Sequence, residues 1–257
     1  MVKIHVLSQK EMIDPLKIKN CVAVVFDVLL ATTTITTLFQ HGAKKIIPVL
    51  NVEEALEVSQ HLSENSYILC GEKKGFKVDQ FLYPCPLELI KSNIFDKTII
   101  LSTTNGTVAL NHSLSASFIY ASCLLNNHYM AKHLLQNHAD KTILIVCAGN
   151  HGNFSMEDFL GAGHLIRELY RYAGDEENIH LSDSGAAAYH FYKKFHEKQI
   201  MNFFLTSQTG KLLTSLGYRD SITHALQRDM YEVIPILRKE KNPYLENLQI
   251  AEKTPVH

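Results

Sequence analysis

An apolar run, Val24-Val25-Phe26, ends at the carboxylate of Asp27, and Thr32, Thr33 and Thr34 follow a few residues later. A buried strand that carries an acid to its C-terminal end and hands over to a polar loop or helix start has this order. Ligands of open α/β proteins bind in the crevice outside the carboxyl ends of the strands. An acid beside hydroxyls and free backbone N–H groups can hold a metal ion and an anion together. A carboxylate abutting an apolar strand also needs a partner. Within this stretch Leu30 is the exception, an apolar residue where an anion would be served.

Three further acids occupy strand-end or helix-start positions: Glu72, Asp158 and Asp183. Hard oxygen ligands converging on one edge suit Mg²⁺, which commonly uses one or two carboxylates plus substrate oxygens and water. The local alternative makes Asp158 and Asp183 helix caps and Glu72 a solvated loop charge. A second hydroxyl cluster, Thr103-Thr104-Asn105-Gly106-Thr107, offers hydroxyls, an amide and backbone donors for phosphate-like oxygens. Thr and Asn also favour caps and turns for local reasons. Lys73, Lys74 and Lys77 supply the dense positive charge near a predicted strand end, unless they are merely solvated.

Other chemistries lack their residues. Cys147 has Asn153, not Arg, six residues on, so a packed strand-end thiol is expected. The 14 histidines contain no His-Glu-x-x-His spacing. His151 is the imidazole best placed for acid–base work. No Walker motif or nucleophile elbow occurs. Gly161-Ala162-Gly163 lacks the third glycine of a dinucleotide loop, so close helix packing is expected there. Asp27-Val28-Leu29 lacks the second aspartate of aspartyl-phosphate enzymes.

Positioning these groups requires strands that end together. Apolar, β-branched runs at 22–26, 67–70, 98–101 and 142–146 each lead into a polar loop, and their lack of alternation suits strands covered on both faces. Helical periodicity fills 52–62; Ser155 with Asp158 begins a longer helix, Ser182-Asp183-Ser184 opens another, and Asp220 reads as a cap. Residues 233–236 resemble a terminal strand, and the polar tail from 239 is expected to fray. The fold class is α/β, a layered α/β/α arrangement with a mixed, largely parallel sheet, as one domain over residues 1–257. A hydrophobic fraction of 46% sustains a large core. With 25 basic and 26 acidic residues, no nucleic-acid footprint is expected. No apolar run is long enough for a bilayer, and no signal peptide is seen, so a cytoplasmic location is expected. The five cysteines are expected as reduced, largely buried thiols.

Taken together, the segments resemble the 2-phosphosulfolactate phosphatase family. The resemblance runs through Asp27 to Ile35, Gly71-Glu72-Lys73, Thr103 to Thr107, Cys147-Ala148-Gly149, Gly152 to Phe159 and Leu181-Ser182-Asp183. It implies Mg²⁺-dependent hydrolysis of a small phosphorylated acid, 2-phospho-3-sulfolactate to 3-sulfolactate and phosphate. On that reading Asp27 and Glu72, with Asp158 or Asp183, bind the metal, and Asp27, Glu72 and Lys73 are catalytic. Thr32, Thr33, Thr34, Thr104, Asn105, Gly106 and Thr107 would bind phosphate. No nucleic-acid or membrane partner is expected, and assembly as a homo-oligomer is allowed. The chain departs from the family at Leu30, Lys73 and Asn153, where members carry Arg, and at Pro84-Cys85-Pro86, where they carry Asn-Ser-Pro. An Arg fork matches oxyanions in a bidentate way that Leu and Asn do not. Each lost charged hydrogen bond is worth about 1.5–3 kcal/mol. Two other readings follow: a phosphatase retuned to a less anionic substrate, or a catalytically impaired homologue that binds a small anion or a protein partner.

Overall fold

Residues 1–174 and 176–248 are described by the computed structural model. Their strands, in chain order, begin with β1 (Val2–Leu7), β2 (Cys21–Phe26), β3 (Lys45–Val49), β4 (Tyr67–Lys73), β5 (Phe76–Lys77) and β6 (Thr98–Ser102). They continue with β7 (Phe118–Ala121), β8 (Thr142–Cys147), β9 (Ile179–Leu181), β10 (Pro235–Arg238) and β11 (Tyr244–Asn247). The helices are α1 (Ala31–Gln40), α2 (Val52–Ser59), α3 (Pro86–Leu89), α4 (Gly106–His112) and α5 (Asn127–His138). After them come α6 (Met156–Ala173), α7 (Asp183–Lys194), α8 (Glu197–Thr206), α9 (Gln208–Ser215) and α10 (Arg219–Ala225).

Successive side chains of a strand point to opposite faces, so β2 sorts the core. Val22, Val24 and Phe26 pack with Met130 and Leu134 of α5 and Leu160, Leu165 and Leu169 of α6. Ala23 and Val25 pack with Ile35 and Leu38 of α1 and Ala109 and Leu110 of α4 on the other side. Helices therefore cover both faces, the α/β/α arrangement. The sheet order is β5-β4-β6-β3-β11-β10-β7-β2-β8-β1-β9. Two parallel blocks, β4-β6-β3 and β7-β2-β8-β1-β9, are joined through the antiparallel β10–β11 pair. The sheet is thus mixed and largely parallel.

The predicted apolar runs are β2, β4, β6 and β8. Ser155 caps α6, accepting from the Asp158 N–H at 3.2 Å. Gly163 lies so close to α7 that an added Cβ would sit 2.2 Å from the Ala188 carbonyl oxygen, the close packing expected of Gly161-Ala162-Gly163. All five cysteines are free thiols, and Cys147 is buried at the end of β8. No helix among the described residues is long and apolar enough to cross a membrane.

Three expectations need correction. Asp220 lies within the first turn of α10, whose N-cap is Tyr218. The terminal strand begins at Pro235 rather than residue 233. The tail does not fray at residue 239: Tyr244–Asn247 is β11, which pairs with β10 and joins it to β3 in the middle of the sheet. Its four residues look polar, but Leu245 is fully buried and Asn247 Oδ1 accepts from the Ile234 N–H at 3.0 Å. Pairing with two neighbours, not local propensity, makes this strand. Residues 249–257 lie outside the described residues.

Leu245→Ala should therefore cost about 2–4 kcal/mol, the usual cost of a buried Leu deletion. Urea unfolding measures it, and a loss below about 0.5 kcal/mol, typical of a surface change, would mean that this strand is not part of the core.

Candidate active site

Asp27 is buried where β2 ends, and its surroundings explain the threonines after it. Thr32 Oγ1 accepts from the Asp27 N–H at 3.1 Å and donates to the Asp27 carbonyl at 3.0 Å. Thr33 Oγ1 donates to the Val28 carbonyl at 2.8 Å, and Thr34 Oγ1 to the Pro84 carbonyl at 2.7 Å. All three side chains are buried. The expectation that these hydroxyls bind phosphate is corrected: they close a tight turn between β2 and α1 that fixes Asp27. Hydroxyls that bond backbone groups locally are the competing behaviour of Thr.

Glu72, near the end of β4, is oriented by the loop between β6 and α4. Its Oε1 accepts from the Thr104 N–H at 2.6 Å. Its Oε2 accepts from Thr104 Oγ1 at 2.9 Å and from the Gly75 N–H at 2.5 Å. The Lys74 N–H donates to Thr104 Oγ1 at 2.8 Å, so hairpin and loop are clasped by one carboxylate and one hydroxyl. Thr104 thus positions Glu72. Thr107 is buried, its hydroxyl donating to the Thr103 carbonyl at 2.9 Å, a brace rather than a phosphate donor. At Gly106 an added Cβ would lie 2.4 Å from the Ala31 Cβ and 2.6 Å from Asp27 Oδ2. Glycine is what lets α4 approach the acid.

The two acids open into one cavity of about 220 Å³, with Thr103, Asn105, His151 and Lys74. Lys73 lines a neighbouring depression beside Asn51 and Val52, so Lys74 is the lysine of the main cavity. Asn105 Oδ1 accepts from Lys10 Nζ at 3.0 Å and from the His151 N–H at 3.3 Å. Lys10 is buried, and Nζ also donates to the Ala148 carbonyl at 3.2 Å and pairs with Glu11 at 3.0 Å. Lys10 therefore holds three loops beneath the cavity. Sequence reasoning missed it, because a single lysine in a loop carries no spacing signal.

Asp158 does not line the cavity. Its Oδ1 accepts from the Val28 N–H at 2.9 Å and its Oδ2 from the Gly149 N–H at 3.1 Å. It ties the ends of β2 and β8 together from below, and is neither an open metal ligand nor a helix cap. Asp183 is exposed in the first turn of α7, where Ser182 supplies the cap, and it is not among the cavity residues. Glu157, also missed, is buried close enough to act electrostatically on both Asp27 and Asp158.

This concentration of negative charge has an electrostatic consequence. Burial first, then repulsion from Glu72, raises the pKa of Asp27 to about 7, against the pull of Lys10 and the Ala31 N–H. Burial and the charge of Asp27 push Asp158 well above the carboxylate range. A divalent cation between Asp27 and Glu72 would relieve that repulsion, and the hard oxygen donors fit Mg²⁺. A second cluster of possible metal ligands, His164, Glu168 and Asp229, is not among the residues lining this cavity. There the Arg167 guanidinium already sits 2.6 Å from Glu168 Oε1. The Asn127 amide lies 3.0 Å from His164 Nδ1, and His164 Nε2 lies 3.2 Å from Arg167 Nη2 and 3.5 Å from Asp229 Oδ2. The Arg167 guanidinium therefore already sits against both His164 and Glu168 in this cluster.

The folded state holds the Asp27 proton more tightly than the unfolded chain does, so stability falls as pH rises from about 4 to about 7. Asp27→Asn should stabilise the metal-free protein by about 1–3 kcal/mol at pH 8, with the gain shrinking towards pH 4 and vanishing in excess Mg²⁺. Chemical denaturation at pH 8 and pH 4, with chelator or Mg²⁺, tests this; an Asn variant less stable than wild type in chelator at pH 8 contradicts it.

Residues 7–240 match the model of the family described as 2-phosphosulpholactate phosphatase. A protein of Clostridium beijerinckii named probable 2-phosphosulfolactate phosphatase is 34% identical over 234 residues, which is 91% of this chain and 95% of the relative. Its namesake in Caldanaerobacter subterraneus subsp. tengcongensis is 37% identical, over 87% of this chain and 89% of the relative. One from Clostridium botulinum is 33% identical over 93% of this chain and 98% of its own length. On that coverage, and with the strand-end loops assembled as described, the chain belongs to the 2-phosphosulpholactate phosphatase family.

Proposed function

We propose that this protein hydrolyses the phosphate monoester of a small hydroxy acid of the 2-phospho-3-sulfolactate type, with Mg²⁺ held by Asp27 and Glu72. The observation that carries this reading is the convergence of those two acids, distant in sequence, in one cavity. The relatives' names supply the substrate type. When bound, Mg²⁺ neutralises charge on the phosphoryl oxygens and polarises the phosphorus for attack by water.

The chain's own residues do the rest. Phosphoryl transfer needs positioning and charge neutralisation more than covalent chemistry. Lys74 places a cation at the cavity. Asn105 has its Oδ1 occupied by Lys10 and the His151 N–H, which leaves Nδ2 to donate to a phosphoryl oxygen. His151 lines the same cavity and is the imidazole positioned to protonate the departing ester oxygen. Lys73, Thr32, Thr33, Thr34 and Thr107 have no direct contact with substrate in this mechanism, and Thr104 acts through Glu72.

Phosphate release from 2-phospho-3-sulfolactate and a panel of phosphorylated hydroxy acids tests the proposal. Asp27→Ala should lower kcat/KM at least about 100-fold on the best substrate, and chelation should abolish turnover until Mg²⁺ is restored. Wild type no faster than Asp27→Ala on every compound would remove the catalytic claim. Binding of phosphate and Mg²⁺ without turnover would instead mark a non-catalytic homologue.

A further inference from the structure

Four chain segments form a ring around the cavity, and the contacts between them give its order. Asn105 Oδ1, in the loop between β6 and α4, accepts from the His151 N–H of the loop between β8 and α6 at 3.3 Å. Beside His151, Asn150 Nδ2 donates to Gln208 Oε1 of α9 at 3.2 Å. Leu212 of α9 packs on the hairpin turn, where a Cβ on Gly75 would meet its Cδ2. The hairpin returns to the first loop through the bonds of Thr104 with Lys74 and Glu72. Helix α9 thus touches the same two segments as the Asn105 loop and lies two contacts away from it around the ring. Gln208, Thr209, Leu212 and Leu213 share one face of α9 and line the cavity.

The start of α9 is held in place. Ser207 Oγ accepts from the Gly210 N–H at 3.0 Å, and an added Cβ at Gly210 would overlap the Phe204 carbonyl oxygen at the end of α8. On this fixed turn the Gln208 Oε1 is occupied by Asn150, which leaves Nε2 to donate. Thr209 Oγ1 has no hydrogen-bond partner among the described residues, unlike the hydroxyls of Thr32, Thr33 and Thr34. Two neutral donors on a rigid turn therefore line the cavity with nothing from the protein to receive their hydrogens. Charge is scarce beside them. Among the described residues, Lys74 and His151 are the basic side chains that line the cavity, so a substrate with three anionic groups needs uncharged donors as well.

We infer that Gln208 and Thr209 form the sulfonate subsite, the amide Nε2 and the hydroxyl Oγ1 each donating to a sulfonate oxygen of the substrate. The inference rests on the proposed phosphatase activity and names the residues that select its substrate. In 2-phospho-3-sulfolactate, phosphate and carboxylate branch from one carbon and the sulfonate from the next. With the phosphate at the metal and Asn105, and the ester oxygen at His151, the sulfonate extends past His151 to the next member of the ring, α9. A sulfonate stays ionised throughout the working pH range and presents three oxygens, so an amide and a hydroxyl recognise it with no change of protonation. A methyl group in its place would leave both donors without a partner.

The test compares kcat/KM, in Mg²⁺, for 2-phospho-3-sulfolactate and 2-phospholactate, which carries a methyl group in place of the sulfonate-bearing carbon. Wild type should prefer the sulfonated ester about 100-fold, the effect of two hydrogen bonds to a charged group. Thr209→Val and Gln208→Leu should each lower that preference about 10-fold, and Thr209→Asp, which sets like charge against the sulfonate, by more. Thr209→Ser keeps the hydroxyl and should retain the preference. The change should fall on KM for the sulfonated ester, because the sulfonate is bound alike in ground and transition states. Position 208 is exposed and position 209 partly so, and an acid in the first turn of a helix is favourable, so these changes leave the core untouched. A wild type indifferent to the sulfonate overturns the inference. So does an unchanged ratio in the Val, Leu and Asp variants, or a loss in Thr209→Ser equal to that in Thr209→Val. If neither ester is turned over, the phosphatase reading fails by itself, and calorimetry of 3-sulfolactate and lactate with Mg²⁺ and phosphate decides the subsite. Tighter sulfolactate binding that Thr209→Asp removes upholds it; equal affinity, or none, overturns it.

Discussion

The repulsion between Asp27 and Glu72 is the constraint around which the rest of the structure is arranged. Two carboxylates share a cavity, one of them buried, and among the described residues Lys10 is the buried cation that acts on Asp27. Folding does not favour such a pair. Burial and the charge of Glu72 hold the Asp27 proton to about neutral pH. A divalent cation between the two acids would relieve that repulsion.

The polar residues of this region divide by what their lone pairs and hydrogens already do. Thr32, Thr33, Thr34 and Thr107 are buried and spend their hydroxyl hydrogens on backbone carbonyls, which leaves none to donate to an anion. Thr104 and Glu72 hold one another across two loops, and Asp158 joins the ends of β2 and β8. Lys10 ties Asn105 to the segment after β8. Among the groups that open into the cavity are the Asp27 and Glu72 carboxylates, Lys74, the Asn105 amide and His151, and the proposed chemistry falls to them. On the proposed function, stability and activity are opposed at Asp27 and allied at Thr104 and Asp158, whose loss would disorder the loops.

Much of the fold was legible because β2, β4, β6 and β8 are short, β-branched and apolar on both faces. The strands that escaped reading lack that signature. In β1, Val2-Lys3-Ile4-His5-Val6 alternates buried and exposed residues. Pro48 interrupts β3, and β11 has only Leu245 as an aliphatic residue. Asp27 and Glu72 could be chosen from sequence because each follows an apolar strand run. The threonine clusters misled, since hydroxyls that close a turn and hydroxyls that bind phosphate have the same spacing. Lys73 and Lys74 differ only in where a two-residue hairpin turn points them. Lys10, Glu157 and the leucines of α9 reach the site through tertiary contacts, which no local pattern encodes.

The central claim is that Asp27 and Glu72 form a single divalent-cation site. Crystals grown with Mn²⁺ in place of Mg²⁺, together with phosphate, test it through the anomalous signal of the metal. The account predicts one strong peak about 2–2.5 Å from carboxylate oxygens of both Asp27 and Glu72, with phosphate in the same cavity. A cavity without metal at saturating Mn²⁺, or a metal seated instead on His164, Glu168 and Asp229, would contradict it.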